Sequence, residues 1–367
     1  MKFTRGFSLV EIMVALVIGM IAMIVVLQIY GASEANKRTT TGGDDAQISG
    51  ALGMFALQRD IRQAGVGISS YDLLGCNVTL RAGVTLNTMI PVTINHPSVT
   101  GLAGQDLNTD TLLVVYGNSS LLPEGASIFG QLAQNQYTVD SPSGFSLNDN
   151  VIAAPQVRPS PCALTMEQVN AAPAGTVVTV PTGVASMSNG RLYNLGPAPT
   201  IVVYAVRGGS LTRCDFMVND CTQNTPANWV TVAGNIVSLK AQYGRDDASV
   251  NPATIDYNPR YVNRYDATIQ APPAVTTVQC GFARVSAVRV ALLARSGQYD
   301  KNVVTGAVPT WEGSVANNPT GSAANAFNLT NIVLQAGESW QNYRYKVNQM
   351  VVPIKAMSWI SLGGKTC

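Results

Sequence analysis

From Phe7 to Tyr30 only Ser8, Glu11 and Gln28 are polar. That run exceeds the roughly 20 residues a helix needs to span hydrocarbon. Lys2 and Arg5 stand just before it, the charge order that holds the start of a spanning helix on the cytoplasmic side. A secretory signal has a shorter apolar core followed by a small-residue cleavage site, whereas here Gln28 and Tyr30 follow and the chain reads on as helix. A plain anchor leaves Glu11 without a reason. A carboxylate at the bilayer centre costs about 2.5–3.5 kcal/mol on an insertion scale, and less near the edge, so such a residue is a functional candidate whose partner must be named.

The helical pattern resumes after the polar stretch "GASEANKRTTTGGDDAQ", with apolar residues at Ile48, Ala51, Leu52 and Phe55, then Leu57, Ile61 and Ala64. This spacing predicts a long helix whose second half packs on a globular domain. Gly42 and Gly43 weaken it by about 1 kcal/mol each relative to alanine, as a hinge or a break. The glycines of "QAGVGIS", from Gln63, end it. Beyond Ser70 the pattern changes to short β-branched runs between Gly, Pro and Asn. Strands are predicted at 111–116, 176–180, 200–206, 229–233, 235–243, 283–294, 343–352 and 356–362. Residues 117–175 and 244–280 read as long turn-rich insertions.

Length and composition narrow the picture. A chain of 367 residues leaves some 300 beyond the apolar segment, enough for one large domain or two smaller ones. Its 23 Lys and Arg nearly balance 21 Asp and Glu, so no strong field draws in nucleic acid, and none is expected as a partner. All six cysteines lie beyond the apolar segment, and an even number in an oxidising compartment favours disulfides. Cys214 and Cys221 bracket "DFMVND" and are a candidate disulfide; Cys76, Cys162, Cys280 and Cys367 are left without assigned partners, Cys367 as a possible clip for the tail.

Candidate chemistry is sparse. The single histidine, His96, precedes Pro97 and reads as a solvated loop residue, and no nucleophile elbow is present. Asp106 and Asp110 flank a strand start, where turn and capping roles are usual. Asp246, Asp247, Asp256 and Asp266 share one loop without EF-hand spacing, and Tyr257, Tyr261 and Tyr265 beside them read as packing residues. No catalytic residue, metal or cofactor is expected.

The N-terminus carries a resemblance. Gly6-Phe7-Ser8-Leu9-Val10-Glu11 is similar to the processing motif of type IV pilins and the pseudopilins of type II secretion. The resemblance implies that Gly6 ends a leader, that Phe7 becomes an N-methylated N-terminus, and that Glu11 acts in assembly. "LQRDIRQAG", "NTDTLLVVYG", "VYAVRGGSLTRCD", "IVSLKAQYGRDD", "VSAVRVALLARS" and "YRYKVNQMVVPIKAMSW" occur in an order that resembles the PilW family of large minor pilins. "VVPIKAM" departs from that family at its C-terminal strand.

The fold implied is α+β and pilin-like, a long N-terminal helix on a large β-rich domain. Its parts are a leader (1–6), a transmembrane helix (7–30), a periplasmic continuation (31–66) and a β-rich periplasmic domain (67–367). The implied function is to prime and cap a type IV pilus. The implied partners are other minor pilins, the major pilin, a tip-associated adhesin, a prepilin peptidase and the inner-membrane assembly platform. The implied location is the bacterial inner membrane and then the pilus tip. The alternatives are a J-type pseudopilin of type II secretion, which is generally shorter, and a module that binds surfaces through its loops.

Overall fold

The computed structural model of the chain describes residues 8–119, 124–247, 262–269, 271, 275, 277–315, 323–330 and 332–360. One helix, α1 (Leu9–Gln63), carries both the apolar run and the later helical pattern. At 1.5 Å per residue its 55 residues extend about 80 Å. It runs through Gly42 and Gly43 without a break. At Gly42 a methyl group would stand 3.3 Å from the Ser296 Cβ, so this glycine lets the helix pass close to the domain. The helix stops where Gly65 takes φ +89°, a left-handed conformation that glycine adopts without strain, and its N–H donates to the Val115 carbonyl at 2.9 Å.

The face of α1 that packs is not the one its apolar spacing suggests. Leu57, Ile61 and Ala64 are buried, together with Ala46, Gly50, Gly53 and Met54. Ile48, Leu52 and Phe55 point outward and are 59, 56 and 67% exposed. Small residues set the buried face because the sheet comes close: a methyl on Gly53 would lie 2.9 Å from Leu292 and 3.1 Å from Leu211. Ridge-and-groove packing is thus satisfied by the smaller stripe, and the larger one is left outside.

The domain holds three sheets among the described residues. The first has eight strands in the order β2 (Val84–Met89), β1 (Cys76–Arg81), β8 (Ala163–Gln168), β7 (Asn150–Ala154), β10 (Arg191–Gly196), β5 (Ala126–Ala133), β6 (Gln136–Val139) and β9 (Val177–Thr179). The second runs β13 (Val230–Gly234), β12 (Ser210–Asp215), β11 (Thr200–Arg207), β4 (Leu112–Tyr116), β3 (Val92–Ile94). The third runs β15 (Arg264–Asp266), β14 (Ile236–Arg245), β16 (Val285–Arg295), β17 (Tyr345–Pro353). Every pairing is antiparallel except β1 with β8. A short helix, α2 (Val278–Ala283), leads into β16 and is capped by the Thr277 side chain, which accepts from the Cys280 N–H.

The middle sheet is covered on both sides, which is why "LLVVY" and "TIVVYAVR" read as nearly unbroken apolar runs. Leu112, Val114, Val202 and Tyr204 face a core shared with α1 and the third sheet. Leu113, Val115, Ile201 and Val203 face the first sheet. The outer face of the third sheet is covered by Trp311, Phe327, Leu329 and Ile332. The strand expected at 356–362 is not one over its described residues, 356–360: Lys355–Trp359 is a 3-10 turn after Pro353, and Met357 tucks into the core beneath α1. The segment 117–175 contains β5 to β8, short strands with at most two β-branched residues each, so that no long run stands out among the Gly, Asn and Gln.

Buried tyrosines tie the stability of this arrangement to alkaline pH. Burial pushes the Tyr193 hydroxyl up to about 12, and it raises Tyr204, Tyr243 and Tyr345 from the ordinary value as well. A raised folded-state value means the stabilisation is whole below the unfolded value of 10.0 and is lost as pH rises towards the folded value. Denaturant unfolding of the chain should therefore be flat between pH 7 and 9 and steepen between about pH 10 and 12. Tyr193→Phe should lessen that slope by about 1.4 kcal/mol per pH unit in this window. An unchanged slope would remove Tyr193 from the account.

Candidate functional site

The site begins with α1 itself. Leu9–Gly31 is a helix long and apolar enough to cross a membrane, with a mean hydropathy of 2.9 over its window and none of that window buried in the chain's own domain. Glu11 sits in its first turn, on an outward groove with Ile12, Ala15, Leu16, Gly19 and Met23. Ala15 and Gly19 follow Glu11 at four-residue steps, so a carboxylate and two small residues share one helix face. In a membrane such small positions admit the close approach of another helix. Gly6 and Phe7 lie outside the described residues.

At its other end α1 is bound to the domain by a buried carboxylate that the sequence pattern did not mark. Asp60 is fully buried. Tyr204 donates its hydroxyl to Asp60 Oδ2 at 2.6 Å and Tyr116 donates to Oδ1 at 3.2 Å. Arg59 Nε donates to Oδ1 at 2.8 Å, and Arg213 Nε approaches Oδ2 at 4.0 Å. Burial, and then the charge of Asp60, raise the Tyr204 hydroxyl so that it stays protonated and donates. Because Tyr116 lies on β4 and Tyr204 on β11, one helix residue fixes α1 against two strands of the middle sheet. "LQRDIR" contains this residue, but among its charged neighbours Asp60 has the look of an exposed helix position.

Cys214 and Cys221 are joined across a seven-residue separation with Cα atoms 5.9 Å apart. Cys76 and Cys162, which had no assigned partner in the sequence, are also bridged, with Cα atoms 4.8 Å apart. Their separation of 86 residues hides the pair from any local reading; β1 and β8 bring them together by pairing in parallel, with the Asn77 N–H donating to the Cys162 carbonyl at 2.9 Å. Cys280, likewise left without a partner, is disulfide-bonded, whereas Cys367 lies outside the described residues. As the one cysteine of the sequence still unassigned, Cys367 is the expected partner. Non-reducing peptide mapping should recover Cys280 and Cys367 in one linked peptide, and alkylation of either in the unreduced chain would refute it.

The remaining sequence candidates resolve into structural contacts. His96 is buried, not solvated: its Nε2 meets the Asn87 carbonyl, and its Nδ1 accepts from the Ser98 N–H at 3.2 Å. Asp106 accepts from the N–H groups of Gly208 and Gly209, both at 2.7 Å, and so caps the turn between β11 and β12. Asp110 accepts from the Ala241 N–H at 3.0 Å and lies 3.7 Å from Lys240 Nζ. Asp246, Asp247 and Asp266 meet cations rather than forming an oxygen cage. Arg245 contacts Asp247 at 3.5 Å and also pairs with Asp266, Arg264 contacts both at 3.0 and 2.8 Å, and Arg284 reaches Asp246 at 3.5 Å. Tyr265 stacks under Arg289, whose guanidinium carbon is 3.7 Å from the ring centre. Asp256, Tyr257 and Tyr261 lie outside the described residues. Among the described residues no group of His, Cys, Asp and Glu is placed to hold a metal ion.

Comparison with known families fits both halves of this geometry. Residues 1–27 match the prokaryotic N-terminal methylation motif, and residues 203–356 match the family of type IV pilus-assembly protein W. The chain is pilin-like. The second match spans β12 to β17 and most of β11, so it takes in Tyr204, Arg213 and the third-sheet strands that α1 packs against, but not β4 with Tyr116. The first takes in Glu11 and most of the apolar run of this pilin-like chain. No curated protein and no solved structure matches it.

Proposed function

We propose that this chain is a minor pilin of a type IV pilus. In this reading it enters the inner membrane through α1 with its β-rich domain in the periplasm, is cut after Gly6 by a prepilin peptidase, and is methylated on Phe7. With other minor pilins and a tip-associated adhesin it then primes assembly of the major pilin at the inner-membrane platform and caps the fibre. The role is structural, without catalysis. The observation that carries it is that one continuous helix joins the methylation-motif segment to a domain resembling the W family.

Processing and assembly give separate tests. A peptidase must approach the backbone at Gly6, and a β-branched side chain there obstructs it. Gly6→Val should leave the chain in the membrane with its leader intact, and mass spectrometry showing an N-terminus at Phe7 would contradict this. Deleting the gene should cut the number of surface pili at least ten-fold, with recovery on re-expression. A normal pilus count together with a secretion defect would point instead to a pseudopilus.

A further inference from the structure

We propose that a cleft on the outer face of the third sheet, lined by the buried Lys240 and by Trp340, binds a short saccharide that carries a carboxylate.

The cleft has a volume of about 690 Å³, within the roughly 300–1,000 Å³ of small-ligand clefts. Leu239 and Ala241, on either side of Lys240 in β14, point into the core shared with α1. Side chains alternate along a strand, so Lys240 stands on the opposite face. There it pairs across the sheet with Ala291, whose small side chain leaves room for the lysine stem. A ligand in the cleft is separated from α1 by the sheet and does not compete with any helix that α1 meets.

Lys240 is 4% exposed. Taking an ammonium out of water is costly unless it is both paired and hydrogen-bonded. Its one anion among the described residues, Asp110 Oδ1, lies 3.7 Å from Nζ, too far for a hydrogen bond. That carboxylate is already held by Asn95 Nδ2 and by the Ala241 N–H, each at 3.0 Å. The ammonium donates no hydrogen bond among the described residues, and Lys240 is the only charged residue of these that lines the cleft. A carboxylate entering the cleft answers both its donors and its charge.

The rim sets the class of ligand. Phe327 and Leu329 are anchored in the apolar cover of the sheet, and Asn325, Asn328 and Thr330 stay exposed around them. Asn328 Oδ1 accepts from the Thr330 N–H at 3.0 Å, so its own amide N–H groups remain to donate. Asn108 donates to the Thr330 carbonyl at 3.3 Å, so its Oδ1 remains to accept. Hydroxyl groups both donate and accept, and the hydroxyls of a sugar match such a mixed rim. Trp340, half-buried, adds a flat apolar wall on which the C–H face of a sugar ring can lie. An acidic peptide offers the carboxylate without that density of hydroxyls, so the saccharide is the better match.

The test is titration calorimetry of the full-length chain in a sugar-free detergent with trigalacturonate, against neutral maltotriose and triglutamate. Trigalacturonate should bind saturably, about ten-fold or more tighter than either comparison. Lys240→Met keeps the apolar stem and should weaken trigalacturonate about ten-fold or more, to the level of maltotriose. Asn325→Ala alters an exposed side chain that makes no hydrogen bond among the described residues, and it should weaken both sugars about three-fold or more. Circular dichroism checks that the variants fold, and if Lys240→Met does not, Asn325→Ala decides alone. The inference is overturned by any of four results: no saturable binding of trigalacturonate, equal binding of maltotriose, tighter binding of triglutamate, or binding that the folded variants leave unchanged.

Discussion

Glu11→Ala should be cleaved and inserted normally, yet its content in sheared pili should fall at least ten-fold. Cleavage after Gly6 would create an amine at Phe7, one helical turn before the carboxylate. In hydrocarbon a lone carboxylate and a lone ammonium are both poorly solvated, and pairing them offsets the burial of each. If pairing recovers about 2 kcal/mol, its loss changes an association constant about 30-fold. The proposed partner is the amine of a neighbouring subunit, which makes Glu11 silent in processing and in folding of the domain. The groove it shares with Ala15 and Gly19 supports this, since a neighbouring helix can come close there. Quantitative immunoblotting of sheared pili against total membranes measures the ratio. Wild-type content of the variant would remove the pairing account.

Asp60→Ala should be the most destabilising change at the anchor between α1 and the middle sheet. It takes from Tyr204 and Tyr116 the acceptor of their hydroxyl groups in a site that Tyr204 shares with no solvent. Two tyrosine hydroxyls left without their acceptor cost about 1–3 kcal/mol each. Asp60→Asn keeps one carbonyl acceptor and should cost about 1–3 kcal/mol. Tyr204→Phe removes one donor and should fall at the low end of that range. The ordering Ala, Asn, Phe is the expected result of chemical unfolding followed by fluorescence. If Asp60→Ala proves as stable as the unsubstituted chain, the carboxylate does not fasten the helix to the middle sheet.

The parts of this fold legible in the sequence are those set by long or strong local patterns. The apolar run, the α1 stop at Gly65 and the runs of β4, β11, β14 and β16 are of this kind, because each is fixed by neighbours along the chain. What depended on distant partners was hidden. The Cys76–Cys162 bridge needs β1 beside β8, the burial of His96 needs the strand that supplies the Asn87 carbonyl, and Asp60 needs two tyrosines from two strands. The outward turn of Ile48, Leu52 and Phe55 was hidden for a different reason. Apolar periodicity locates a stripe to be covered without saying by what, and here the domain takes the glycine face. The aspartates near Arg245 likewise have the composition of a cation site, and only their arginine neighbours on β14, on β15 and at the end of α2 show them to be paired.

The most direct measurement is mass spectrometry of the N-terminal peptide of this chain in purified, sheared pili. A minor pilin predicts that the chain is present there, at far lower abundance than the major pilin, and begins at a methylated Phe7 with Glu11 unmodified. Recovery of the chain only in membranes, or in the fibre with Met1 and the leader still attached, would contradict the account.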